Sequence, residues 1–88
     1  MNQATIRIPT PLRPFTKGAD EVRVHGATVS EALANLGEQC PGLLERVLDK
    51  DGGLRAFVNV FVGPVDVRTL QGLGTPLANG AVLSIVSC

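Results

Sequence analysis

The stretch Asn79-Gly80-Ala81-Val82-Leu83-Ser84-Ile85-Val86-Ser87-Cys88 reads as a turn followed by a strand. Asn-Gly supplies the turn chemistry, and the run after it is rich in β-branched residues that suit a pleated, partly buried surface. Working outward from it, residues 69–80 are punctuated by Gly72, Gly74, Pro76 and Asn79-Gly80, which predicts turns with one short helical turn. Before them, Arg55-Ala56-Phe57-Val58-Asn59-Val60-Phe61-Val62 is the strongest strand of the chain. Gly63-Pro64 turns it, and Val65 to Arg68 reads as a short edge strand.

A helix start is well marked further upstream. Thr28-Val29-Ser30-Glu31 is a capping box, in which the Thr28 hydroxyl accepts from the third helical amide and Glu31 reaches back to the Thr28 amide. Val29, Ala32, Leu33 and Leu36 then recur on one helical face. Gly37 weakens this helix, and Pro41 closes the stretch by disfavouring helix in the residue before it. Leu43, Leu44, Val47 and Leu48 predict a short second helical segment, followed by the polar loop Asp49 to Gly53. At the start of the chain, residues 4–9 alternate with Ile6 and Ile8 inward, and residues 21–25 alternate with Val22 and Val24 on one face. These are two antiparallel strands. Pro9 and Pro11 end the first and make residues 9–18 an extended loop.

The order strand, strand, helix, strand, short strand, strand describes an α+β chain, a mixed sheet packed on one main helix. It is the order of the β-grasp, or ubiquitin-like, arrangement. There the first and last strands lie side by side at the sheet centre, and their parallel pairing needs the long crossover that the helix supplies.

An 88-residue chain is one domain, residues 1–88, because two cores cannot be built from so few residues. Its 44% hydrophobic content suffices for a compact core, and 18% charged residues argue against disorder. Eight basic and eight acidic residues cancel, and Phe15, Phe57 and Phe61 are the only aromatic residues, so a nucleic-acid binder is not expected. There is no apolar run of membrane-spanning length, and the alternating Met1 to Ile8 is unlike a signal peptide, so the expected address is cytoplasmic. Cys40 and Cys88 fit a reducing compartment better than a disulfide scaffold. His25 is the only histidine, which leaves no zinc spacing and little material for a nucleophilic triad. No cofactor and no catalytic side chain are expected.

The segment Ile6-Arg7-Ile8-Pro9-Thr10-Pro11-Leu12-Arg13-Pro14-Phe15-Thr16 resembles the start of bacterial sulfur-carrier proteins of the MoaD/ThiS type, particularly the CysO-like branch. Phe57 to Val62 followed by Val65-Asp66-Val67-Arg68 is similar to the central strand and hairpin of that branch. Leu73 to Val82 resembles the approach to its final strand. The resemblance covers nearly the whole chain and implies a carrier rather than an enzyme. A carboxylate is unreactive toward sulfur nucleophiles, so in this family an E1-like (MoeB/ThiF-type) enzyme adenylates a C-terminal glycine. A sulfur donor then displaces AMP and leaves a thiocarboxylate. The resemblance further implies a sulfur-accepting synthase, making cysteine or another sulfur-containing metabolite or cofactor, and a JAMM-type metalloprotease that trims the tail or releases product.

The family pattern places Val86, Ser87 and Cys88 at the root of the carrier tail. After Cys88 the sequence shows no Gly-Gly. Three readings stay open: further residues follow, the protein binds partners without carrying sulfur, or Cys88 itself carries sulfur as a persulfide. The alternatives to a carrier for cysteine synthesis are a β-grasp interaction module and the small subunit of molybdopterin synthase.

Phe57, Asn59 and Phe61 form the candidate docking surface. If Val58, Val60 and Val62 face the helix, alternation puts these three on the open face of the sheet, with Arg13 and Arg68 as a possible rim. A register shifted by one residue would make the phenylalanines core and leave the arginines merely solvated. Cys40 reads as a small hydrophobe at a helix end, His25 as a surface residue, and Gly72-Leu73-Gly74 as turn glycines instead of a phosphate loop. Gly52-Gly53 is an internal loop and no carrier diglycine.

Overall fold

The structure, a computed structural model, describes residues 2–87. Five strands, β1 (Gln3–Arg7), β2 (Glu21–His25), β3 (Val58–Val62), β4 (Val65–Asp66) and β5 (Ala81–Ser87), form one sheet in the order β2-β1-β5-β3-β4. β1 and β5 run parallel with Ile6 opposite Leu83, while β1–β2, β3–β5 and β3–β4 are antiparallel. Helix α1 (Val29–Gln39) covers one face, and the one-turn helix α2 (Leu44–Val47) follows it. This is the β-grasp arrangement expected from the element order.

The core lies between α1 and the inner sheet face. Ile6, Leu33, Leu36, Leu43, Leu83, Val29, Val47, Val60 and Val67 are fully buried there. At about 1.5–3 kcal/mol for each fully buried aliphatic side chain, this layer is the main source of stability. All of the α1 stripe read from the sequence, Val29, Ala32, Leu33 and Leu36, is buried. The capping box forms with one shift. The Glu31 amide donates to Thr28 Oγ1 at 3.2 Å, but Glu31 Oε1 accepts from Ala27 N, at 3.1 Å, in place of the Thr28 amide. Gly37 leaves space for α2: a Cβ there would lie 3.0 Å from Leu44. Gly26 is needed for a similar reason, because a Cβ would meet the Ala32 amide nitrogen at 2.6 Å.

Residues 9–18 depart from the expected extended loop. Thr10–Thr16 is a 3-10 helix, entered from Pro9 in an extended conformation. Proline near a helix start loses an amide that has no partner there, so the prolines that break a longer helix can begin this one. Lys17, at φ 55°, ends it. Its Leu12 and Thr16 are buried, so the segment is docked on the body. The strong strand is also shorter than expected. It begins at Val58, because the Val58 amide donates back to the Arg55 carbonyl at 3.0 Å and turns residues 55–57 out of the sheet. Likewise the edge strand stops at Asp66, whose carboxylate caps a 3-10 turn over Val67–Thr69 by accepting from the Arg68 amide.

Candidate functional site

The site is the C-terminal half of β5 and what surrounds it. Alternation along this strand sends Leu83 and Ile85 into the core and Val82 and Val86 to the open face, where each is 41% exposed. On β3, Val58 and Val60 are buried, so the register reading that places Asn59 and Phe61 on the open face holds. Phe61 stands opposite Ser84, and Asn59 opposite Val86. Phe57 is 74% exposed, but it sits in the turn before β3, at the end of the sheet. With Leu12, Arg46, Arg55 and Ser87 it lines an open groove of about 450 Å³.

The two expected rim residues separate. Arg68 joins the patch: its Nη1 donates to Asn59 Oδ1 at 2.7 Å and its Nη2 to the Arg55 carbonyl at 3.0 Å. The guanidinium thereby ties the turn before β3 to the strand itself. Arg13 does not border the phenylalanines. It stands on the other flank of β5, where it lines a second hollow with Arg7, Asp20 and Ser84. Its Nε donates to the Ile8 carbonyl at 3.1 Å, which fixes it beside the end of β1. Of the expected tail root, Val86 and Ser87 belong to β5, and Cys88 lies outside the described residues.

Sequence reasoning did not single out Val82, Arg7, Arg46 or Arg55. The alternation of Val82, Leu83, Ser84, Ile85 and Val86 carries the signal for Val82. Arg46 and Arg55 meet Ser87 only through the tertiary fold. The face is apolar and hydrogen-bonding, and among the described residues no nucleophile and base are brought together on it. Cys40 is buried and unpaired to any disulfide, as its reading as a small hydrophobe requires. Among the described residues no group of three His, Cys, Asp or Glu side chains is placed to hold a metal ion, and no helix is long and apolar enough to cross a membrane.

Comparison with known proteins fits this geometry. The pattern of the ThiS family matches residues 6–88. The sulfur carrier protein CysO of Mycobacterium tuberculosis is 38% identical over 84 residues, covering 93% of this chain and 90% of that protein. The crystal structure of Mycobacterium tuberculosis CysO superposes with a TM-score of 0.92 at 37% identity, covering 97% of this chain and 98% of the other. The crystal structure of the Amycolatopsis orientalis BexX/CysO complex contains a chain of equal TM-score, 0.92, at 34% identity, covering 97% of this chain and 94% of that one. SAMP1 from Haloferax volcanii follows at TM-score 0.85 and 28% identity, covering 99% of this chain and 96% of the other. With β1 and β5 paired in parallel under one helix and the exposed half of β5 leading outward, the chain belongs to the ThiS family and is a sulfur carrier protein of the CysO type, a non-enzymatic carrier.

Proposed function

We propose that this protein acts as one domain spanning residues 1–88, in the cytoplasm, and carries sulfur as a thiocarboxylate on the C-terminus into which β5 leads. An E1-like enzyme of the MoeB/ThiF type adenylates the terminal carboxylate with ATP, releasing pyrophosphate. A sulfur donor then displaces AMP, so one C–O bond is exchanged for a C–S bond. The charged carrier hands its sulfur to a synthase making cysteine or another sulfur-containing small molecule, and a JAMM-type metalloprotease trims the tail or frees the product. The carrier supplies no catalytic group. It supplies recognition and a tail.

The observation that carries this reading is the exposed apolar face beside the end of β5. Phe57, 74% exposed at the end of the sheet, and Val86, 41% exposed on its open face with Phe61 on the neighbouring strand, are apolar side chains that a small domain gains nothing by leaving in water. Asn59 and Arg68 give this face a hydrogen-bonded polar border. In this reading Phe57, Asn59, Phe61 and Arg68 dock the partner, Arg13 contacts it from the opposite flank, and Val86, Ser87 and Cys88 guide the tail away. The CysO of the BexX complex supports a docking role for such a domain.

The test is the intact mass of the protein expressed from its native gene, before and after incubation with the adenylating enzyme, ATP and a sulfur donor. A gain equal to exchanging one oxygen for sulfur at the C-terminus is the expected result. An unchanged mass, with binding to the enzyme retained, would favour a β-grasp interaction module instead.

A further inference from the structure

Two strands form the outer edges of the sheet, and they differ in length. β4 has two residues and ends where Asp66 caps the next turn, so it offers little backbone to an added strand. β2 has five residues and is the long edge. Bonds just beyond its two ends set its alternation. The Gly26 amide donates to the Asn2 carbonyl at 3.0 Å, and the Asp20 carbonyl accepts from the Ile8 amide at 2.8 Å. Even-numbered residues of β2 therefore bond to β1, and the amides and carbonyls of Glu21, Arg23 and His25 point away from the sheet. An edge of this kind is a template for pairing with another chain.

Two of the three outward carbonyls are already taken. Asn35 Nδ2 donates to the His25 carbonyl at 2.6 Å, and Gln39 Nε2 donates to the Arg23 carbonyl at 3.2 Å. Both side chains come from α1, one helical turn apart and so on one face of it. The spacings match: four residues of helix advance about 6 Å, and two residues of strand about 6.8 Å. Each side chain sets an amide nitrogen where the backbone amide of an added antiparallel strand would have to sit. Such a strand exchanges two bonds with each outward residue it faces. At Arg23 and His25 it would find the acceptor occupied and a side chain of α1 in its way.

We propose that Asn35 and Gln39 form a latch that closes the β2 edge to strand addition, so that the protein does not pair through β2 with a second copy of itself. Asparagine is a weak helix former, and its place within α1 is explained by the bond it makes across to β2. An extended segment of any other partner is excluded from β2 by the same means. The latch is independent of the sulfur chemistry, since it acts on the folded domain whether or not the C-terminus is charged with sulfur.

The experiment compares wild type with Asn35→Ala combined with Gln39→Ala, by sedimentation equilibrium at rising protein concentration and by amide hydrogen exchange. Alanine favours helix at both positions, so α1 should persist, as circular dichroism would verify. Wild type should remain a monomer throughout. The variant should shift with concentration toward twice the monomer mass, and its Arg23 amide should then exchange about tenfold or more slower than in wild type. The amides of Val22 and Val24, already bonded to β1, should change little. Asn35→Ala alone, which removes the shorter bond, is the second variant should the double one fold poorly. A folded variant that stays monomeric at every concentration would overturn the proposal. Association that leaves the Arg23 amide unprotected would overturn it as well, because the contact would lie elsewhere. Wild type that dimerises with the Arg23 amide protected would also overturn it, since the edge would be open with the latch in place.

Discussion

Within the one strand β5, two stretches of similar composition have different surroundings. Leu83 and Ser84 have a partner strand on each side: Ile6 and Val62 for the first, Arg7 and Phe61 for the second. Ile85, Val86 and Ser87 pair with β3 alone, because β1 has ended at Arg7. The first stretch is gripped, and the second keeps one flank for something else. A sheet that closed both flanks to the last residue would bind its own carrier strand too completely to present it. One that closed neither would not specify a register.

Four changes test how sharp that division is. The largest effect is expected in the gripped part. Leu83→Ala removes a side chain that is 0% exposed and should lower the unfolding free energy by about 2–5 kcal/mol in urea titrations. Next comes the working part. Phe57→Ala, at a side chain mostly in water, should weaken binding to the adenylating enzyme by about tenfold, as truncation of an interface aromatic often does, while the urea midpoint barely moves. Isothermal titration calorimetry reads the first and the denaturation curve the second. Asn79→Ala acts at the entry to β5, where Asn79 Oδ1 accepts from the Gln3 amide at 2.9 Å. Loss of this exposed bond should cost about 0.5–1.5 kcal/mol in the same titrations. Val86→Ala should change stability by no more than about 0.5 kcal/mol, the range for an exposed position. A cost for Val86→Ala equal to that of Leu83→Ala would abolish the distinction drawn between the two stretches.

Hydrogen exchange sharpens the same boundary without a mutation. The Gly63 amide donates to the Val82 carbonyl, which sets the alternation so that Val86 faces β3 and Ser87 faces the side where β1 has stopped. The Ser87 amide should exchange much faster than that of Val86, although the two are adjacent.

Much of the fold is legible because its signals are local. Thr28 and Glu31 mark the start of α1, and Val29, Ala32, Leu33 and Leu36 state which face is buried, with no need of tertiary knowledge. The open-face assignment of Asn59 and Phe61 is half legible: period two leaves only two choices, and the burial of Val58 and Val60 in the fold decides between them. The 3-10 helix over Thr10–Thr16 is hidden because Pro9 and Pro11 are read as breakers, whereas a short helix can use them at its start. The retreat of the third strand to Val58 is hidden for another reason: the Arg55–Phe57 turn is stabilised by Arg68, thirteen residues away, whose guanidinium reaches the Arg55 carbonyl. The pairing of Arg46 and Arg55 beside Ser87 is a product of the whole fold, and no spacing rule along the chain could have produced it.

The strand order β2-β1-β5-β3-β4 has a consequence for synthesis. Of these five strands, the last to leave the ribosome is the middle one of the sheet. Until residues 81–87 arrive, β1–β2 and β3–β4 are two separate hairpins with no common backbone ladder, and isolated hairpins are at best marginally stable. Closing the gap requires a contact between residues more than seventy positions apart, which is the slow kind of folding step. A partner that recognises the folded apolar face beside β5 therefore meets only molecules in which β5 is already in place. Folding itself acts as proofreading, so that an adenylating enzyme would spend its ATP on finished carriers and pass over interrupted ones.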